Sequence, residues 1–160
     1  TVESYLSSQS SSAAVIRFGK VLPHNFPLFM HWRSQLASGK SITPYADKTI
    51  APISLAFAIK ILSWLVAEQK LGVFQATACS DITYEEAALY LANVLSFSSK
   101  LIEPIKASSN IITESHTPQQ SFTTLHFTQG MAGLISAPSP VEALQYAISH
   151  LANDDKPPLS

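Results

Sequence analysis

Five histidines and one cysteine are the side chains of this 160-residue chain that best suit metal binding or nucleophilic catalysis. The histidines are His24, His31, His116, His126 and His150. No two of them are four residues apart, the spacing that places two imidazoles on one side of a helix. Cys79 stands alone, which excludes an intrachain disulfide and a multi-cysteine metal site. We therefore expect no metal site, and we interpret Cys79 as a small buried hydrophobic residue.

Two other short patterns resemble catalytic or phosphate-binding motifs but are incomplete. Residues 39–41 read GKS, the end of a phosphate-binding loop, yet the glycine required five positions before Gly39 is replaced by Ser34. The adjacent Glu85 and Glu86 point about 100° apart on a helix, so they do not form a paired acid and base. The sequence therefore predicts no catalytic residue and no cofactor.

One lysine lies inside a strongly apolar run. Residues 53–67 read ISLAFAIKILSWLVA, with Lys60 near the centre. Such a run approaches the minimum length for crossing about 30 Å of hydrocarbon, but a central lysine costs about 2.5–3.5 kcal/mol on insertion scales. We therefore expect a buried helix, and membrane insertion is disfavoured.

Lys60 shares one side of this helix with small and polar residues. At about 100° per residue, five small or polar residues form a narrow strip: Ala56, Lys60, Ser63, Ala67 and Lys70. We call the first four of them the seam. The remaining circumference is apolar, which predicts a central helix surrounded by other elements, with the seam reaching water. The seam is also flat enough to receive a partner helix, so it is our predicted partner-binding surface.

Capping signals and apolar periodicity predict four helices near 26–38, 52–71, 84–102 and 140–152. We expect Asn25 to cap the first, Thr49 or a nearby residue to cap the second, and Thr83 and Ser139 to open the last two. Residues 13–22 are ambiguous between strand and helix, 73–82 are interpreted as a link, and 110–128 as a β-hairpin. The predicted fold class is mainly α, a single-domain helical bundle around the apolar central helix at 52–71. The domain spans 13–152, between a flexible polar segment at 1–12 and a loose tail at 153–160.

Composition narrows the function classes without identifying one. Charged residues make up 13% of the chain and the net charge is −1, with no basic cluster that could neutralise a nucleic-acid backbone. The low charge and the absence of a catalytic motif predict a non-enzymatic protein-binding module, such as an adaptor, chaperone or assembly subunit. The alternatives are a small enzyme or ligand-binding domain with a pocket between helices that uses Lys60, Cys79 or a histidine, and a self-assembling coat-type subunit. The single cysteine is compatible with a reducing compartment, and we expect a cytoplasmic location.

Overall fold

Short parallel strands accompany the helices in the computed structural model, which describes residues 13–107 and 135–151. The strands are β1 (Ala14–Phe18), β2 (Lys20–Leu22), β3 (Thr49–Ile50), β4 (Pro52–Ser54), β5 (Gly72–Ala76) and β6 (Ile82–Thr83). The helices are α1 (Pro27–Ala37), α2 (Leu55–Ala67), α3 (Tyr84–Val94) and α4 (Pro140–Ser149). β1 pairs in parallel with β5, β2 in parallel with β4, and β3 antiparallel with β6.

The predicted mainly helical bundle is therefore wrong, and the fold class is α/β. The ambiguous segment 13–22 forms β1 and β2, and the supposed link at 73–82 contributes most of β5 and the start of β6. Runs this short carry too few residues for periodicity to separate a strand from a helix. Their conformation depends instead on strand partners more than thirty residues away along the chain.

The capping signals located two helix starts correctly. Thr83 accepts a hydrogen bond from the main-chain N–H of Glu86, and the main-chain N–H of Thr83 donates to the Glu86 carboxylate at 2.7 Å. Ser139 and Glu142 form the corresponding capping box at the start of α4. The prediction that Asn25 caps α1 is wrong, because Phe26 occupies that position without a side-chain hydrogen bond.

All four helices are shorter than predicted, and the second and third differ most, because they span 55–67 and 84–94 rather than 52–71 and 84–102. The second helix begins at Leu55 rather than at 52, because Pro52–Ser54 is a strand. Ser54, rather than Thr49, is the N-cap of this helix. The third ends at Val94, where the chain turns through Ser96 with a φ of 58° before a single 3₁₀ turn at Ser99–Leu101. The predicted hairpin at 110–128 and the segments 1–12 and 153–160 lie outside the described residues.

Most of the buried apolar residues form two clusters. The first, which we call the helical core, joins α1, α3 and α4 and includes Phe29, Trp32, Leu36, Leu91, Leu144 and Ile148. The second, which we call the sheet-side core, packs α2 against β5 and consists of Ile61, Leu65, Phe74, Ala76 and Ile135. Partly buried Ile16 and Phe18 of β1 pack against the sheet-side core.

Helix α2 is not the surrounded central helix that the sequence predicts. It buries only Ala58, Ile61 and Leu65. A second line of apolar residues, which we call the ridge, is exposed: Leu55 by 38%, Ile59 by 53%, Leu62 by 44% and Val66 by 79%. Among the described residues, no helix is long and apolar enough to cross a membrane.

Gly19 joins the two cores, because it connects β1 of the sheet-side core to β2, whose Leu22 belongs to the helical core. A Cβ at this position would lie 2.6 Å from the carbonyl oxygen of Ala51 and 2.8 Å from Oγ1 of Thr77. Thr77 is 1% exposed, so it has little room to move. Only glycine allows the strands to approach this closely.

Candidate functional site

An open cavity of about 340 Å³ lies between α1, the segment 43–48 and the start of α3. This volume falls within the range of about 300–1,000 Å³ that is typical of small-molecule sites. The cavity is lined by Leu28, Trp32, Thr43, Pro44, Tyr45, Lys48 and Tyr84, and we call it the aromatic cavity. Its walls therefore combine two tyrosines and a tryptophan with a single cationic side chain.

Main-chain hydrogen bonds hold one wall of the aromatic cavity against the start of α3. The N–H of Tyr84 donates to the carbonyl oxygen of Lys48, and the N–H of Glu85 donates to that of Tyr45, both at 3.1 Å. The capping box fixes the direction of α3 at the same point. Tyr45, Lys48 and Tyr84 are thus held in fixed relative positions although they lie up to 39 residues apart.

The outer side of segment 43–48 is tied to residues 105–107. The N–H of Ala46 donates to the carbonyl oxygen of Ile105 at 2.9 Å, and the N–H of Ala107 donates to Oδ1 of Asp47 at 2.8 Å. A loop bonded on both sides loses little further entropy when a ligand binds. The aromatic cavity is therefore largely preformed.

The polar groups of the aromatic cavity suit an anionic ligand that carries a planar ring. Nζ of Lys48 lies 4.8 Å from the centroid of the Tyr45 ring, a cation–π contact. Burial raises the pKa of Tyr84 above its usual value of 10, so its hydroxyl remains a neutral hydrogen-bond donor at physiological pH. Trp32 is 5% exposed and stacks on Phe29 with ring centroids 5.6 Å apart, which fixes its indole.

A second cavity, of about 240 Å³, contains Lys60 and lies between α2 and the start of α4. Its other lining residues are Phe57, Ile135, Ser136, Ala137, Pro138 and Glu142. The Glu142 carboxylate already accepts a hydrogen bond from the N–H of Ser139 as part of the capping box. Lys60 thus lines a cavity between two helices, the kind of position that the enzyme or ligand-binding alternative gave it. The neighbouring carboxylate, that of Glu142, is engaged in capping α4.

The four predicted seam residues, Ala56, Lys60, Ser63 and Ala67, are all exposed. The structure therefore brings the seam to the surface as expected. The sequence predicts that the seam is the only exposed strip of α2, with buried apolar residues on both sides. In the structure the ridge is exposed as well, so the exposed surface of α2 is wider than predicted.

The histidines and the cysteine do not assemble into a metal site among the residues that the structure describes. Cys79 is exposed, so its prediction as a buried hydrophobic residue is wrong. The ring of His24 stacks on that of Tyr146 at a centroid distance of 3.8 Å and lies tilted against that of His150 at 3.7 Å. Its Nδ1 lies 2.9 Å from the carbonyl oxygen of Tyr146. This contact fastens the loop before α1 to α4. His116 and His126 lie outside the described residues.

Sequence reasoning missed the residues of the aromatic cavity. Lys48 and Tyr45 lie in a polar loop that carries no known motif, and Tyr84 is read from sequence only as the first residue of α3. The one available signal is a single aromatic residue, Tyr45, in a proline-bounded loop, where solvent exposure alone would favour polar residues.

Comparison with known proteins reveals similarity at the level of fold. The chain is similar to dTDP-4-dehydrorhamnose reductase from Bacillus anthracis in complex with NADP, with a TM-score of 0.76 and 11% identity over 92% of this chain and 52% of that chain. UDP-N-acetylglucosamine 4-epimerase from Bacillus cereus has a TM-score of 0.66 and 16% identity over 94% of this chain and 52% of that one. The Bordetella bronchiseptica enzyme WbmG, in complex with NAD and UDP, has a TM-score of 0.71 and 11% identity over 99% of this chain and 50% of that chain. No protein-family model and no curated protein matches the sequence.

These similarities show that the chain has the α/β fold of such enzymes, and that it spans about half of their length. They correct the prediction of a non-enzymatic adaptor, chaperone or assembly subunit, since the similar structures include reductases, epimerases and a dehydratase. The coat-type alternative has no counterpart among these structures. The small-enzyme alternative is closer, although it specified neither the reaction nor the substrate.

Proposed function

We propose that this chain forms the sugar-nucleotide-binding half of a sugar-modifying enzyme of the reductase, epimerase or dehydratase type. The observation that carries the proposal is the aromatic cavity, found within a fold that resembles such an enzyme over 92% of the chain. Similar structures include a dTDP-4-dehydrorhamnose reductase and a UDP-N-acetylglucosamine 4-epimerase, and another of them is in complex with UDP. A nucleoside diphosphate offers the planar ring and the negative charge that this cavity suits.

The described residues do not fit a dinucleotide. Binding of NAD(P) in such folds uses a G-x-G-x-x-G turn between a strand and a helix, so that the pyrophosphate meets the helix N-terminus. The five glycines of this chain are Gly19, Gly39, Gly72, Gly130 and Gly133, which never have this spacing. In addition, β1 continues into β2 rather than into a helix. We therefore derive no hydride-transfer step from these residues and assign them to the sugar nucleotide.

In this proposal the aromatic residues bind the base and Lys48 binds the diphosphate. Stacking of a base on an aromatic side chain contributes about 1–3 kcal/mol. A charge-assisted hydrogen bond from a lysine contributes about 1.5–3 kcal/mol. The neutral Tyr84 hydroxyl donates to the ligand, and the rigid 43–48 segment fixes the distance between base and phosphate.

Isothermal titration calorimetry of the chain with UDP and with dTDP tests the proposal. We expect saturable binding that weakens about 10- to 100-fold in Lys48→Ala, since the phosphate loses its cationic partner. The matched control is Lys100→Ala, which removes an exposed lysine of the 3₁₀ turn that does not line the cavity. Absence of binding to either nucleotide, or equal weakening by both substitutions, would contradict the proposal.

A cytoplasmic location belongs to the same proposal. The lone exposed Cys79 is compatible with it, because a reducing compartment keeps a free thiol reduced. Fractionation of the source cells followed by immunoblotting measures it directly, and recovery of the protein outside the cytoplasmic fraction would contradict it.

A further inference from the structure

A short parallel ladder ties the wall of the aromatic cavity to residues 101–107, which we call the strap. The N–H of Glu103 donates to the carbonyl oxygen of Ile42, and the N–H of Ile105 donates to that of Pro44, both at 2.9 Å. Ile42 is buried in the helical core, so the ladder begins at a rigid point. The strap therefore supports the cavity wall from its outer side.

The ladder ends on a side chain rather than on the main chain. Its even spacing would pair the N–H of Ala107 with the carbonyl oxygen of Ala46, two residues beyond Pro44. That N–H donates instead to Oδ1 of Asp47, at 2.8 Å. A side-chain acceptor thus replaces a main-chain acceptor, and the main chain can leave the strap at this residue. The next residue along the chain is Lys48, which lines the aromatic cavity.

The position of Asp47 shows what its carboxylate contributes. Asp47 is exposed and does not line the aromatic cavity, although it is adjacent to Lys48 in the chain. A carboxylate repels a diphosphate, so its charge opposes the binding that we assign to Lys48. It favours that binding only as a hydrogen-bond acceptor that fixes the main chain. An amide side chain of the same shape offers the same acceptor without the charge.

We propose that Asp47 is a positioning residue for nucleotide binding. By accepting the N–H of Ala107 it ends the ladder and holds Tyr45 and Lys48 at the aromatic cavity. The carbonyl oxygens of Tyr45 and Lys48 accept the first N–H groups of α3 on the other side, so the bond from Asp47 completes a two-sided support. This inference rests on the proposed function and adds to it a residue that does not touch the ligand.

A pair of substitutions at one position tests the role by isothermal titration calorimetry with UDP. Asp47→Ala should weaken binding about 5- to 30-fold, because the freed segment must be ordered when the ligand binds. Asp47→Asn keeps the acceptor and removes the opposing charge, so it should bind UDP at least as tightly as the unsubstituted chain. The matched control is Ser54→Ala, which removes a hydroxyl that accepts a main-chain N–H outside the cavity and should leave the affinity unchanged. Equal weakening by Asn and Ala, or no weakening by Ala, would overturn the inference.

Hydrogen exchange without ligand separates this inference from the proposed function. The amides of Tyr84 and Glu85 donate to the carbonyl oxygens of Lys48 and Tyr45, so they report whether the wall is held. In Asp47→Ala they should exchange about 5- to 30-fold faster, and in Asp47→Asn at the unsubstituted rate. The amide of Glu142, at the start of α4, should not change in either variant. Unchanged exchange of Tyr84 and Glu85 in Asp47→Ala would overturn the positioning role even if UDP binds, whereas absence of UDP binding to the unsubstituted chain would contradict the proposed function.

Discussion

Helices α2 and α3 have similar lengths, 13 and 11 residues, and both begin at a side-chain cap, yet they are buried very differently. Helix α3 buries Ala87, Ala88, Leu91 and Ala92 in the helical core. Helix α2 has the more apolar sequence but buries only three residues and exposes its ridge. An apolar sequence therefore indicates that a surface will be covered, and it does not indicate whether the same domain covers it.

The strongest test of this contrast replaces one leucine in each helix. Leu91→Ala should lower the free energy of unfolding by about 2–5 kcal/mol, because it leaves a cavity at a fully buried position. Leu62→Ala should change it by less than about 0.5 kcal/mol, since Leu62 is already 44% exposed. Urea denaturation followed by circular dichroism measures both. A cost at Leu62 as large as that at Leu91 would mean that the isolated chain covers its own ridge.

Substitution of Gly19 tests whether the two cores unfold together. Gly19→Ala should cost about 1–3 kcal/mol, because the new Cβ would overlap the carbonyl oxygen of Ala51. Thr77→Ala removes the close Oγ1 of Thr77 but leaves the carbonyl oxygen of Ala51 in place. The double variant Gly19→Ala with Thr77→Ala should therefore remain destabilised. One calorimetric transition shifted as a whole is expected. Separate transitions for the two cores would show that Gly19 does not couple them.

Helices α2 and α3 differ in burial, but the loss of their N-caps should affect them equally. Thr83→Ala and Ser54→Ala each remove a hydroxyl that accepts a main-chain N–H, at 3.0 and 3.1 Å. Each should cost about 1 kcal/mol, because capping is local and does not depend on how deeply the helix face is buried. Chemical denaturation of the two variants measures this, and a threefold difference would indicate that capping is coupled to the surrounding packing.

The smallest expected effect concerns Tyr84 at high pH. Because burial raises the pKa of Tyr84 in the folded chain, the unfolded chain releases this proton first. The contribution of the neutral Tyr84 phenol to the free energy of unfolding is fully present below about pH 10, and it is lost as the pH rises through the pKa of Tyr84 in the folded chain. Tyr84→Phe should therefore flatten the fall in melting temperature above about pH 10. An unchanged slope would mean that the phenol is not desolvated.

The parts of the fold that the sequence predicts are those fixed within a few residues. The Thr83–Glu86 and Ser139–Glu142 boxes each satisfy helix N–H groups over three residues, so residue types alone locate α3 and α4. The pairing of β1 with β5 joins residues 58 positions apart, and no local pattern encodes such a partner. The aromatic cavity is unpredictable for the same reason, since Trp32, Lys48 and Tyr84 meet only after folding. The exposure of the seam was predictable from helical angles, whereas that of the ridge was not.

The most direct test of the sugar-nucleotide assignment is a ¹H–¹⁵N NMR titration of the chain with UDP. The account predicts concentration-dependent shifts of the backbone amides of Tyr45, Lys48 and Tyr84 and of the Trp32 indole N–H, which surround the aromatic cavity. It also predicts that the amides of ridge residues Ile59 and Val66 remain unperturbed. Shifts confined to the ridge or to the Lys60 cavity, or no saturable shift at all, would contradict it.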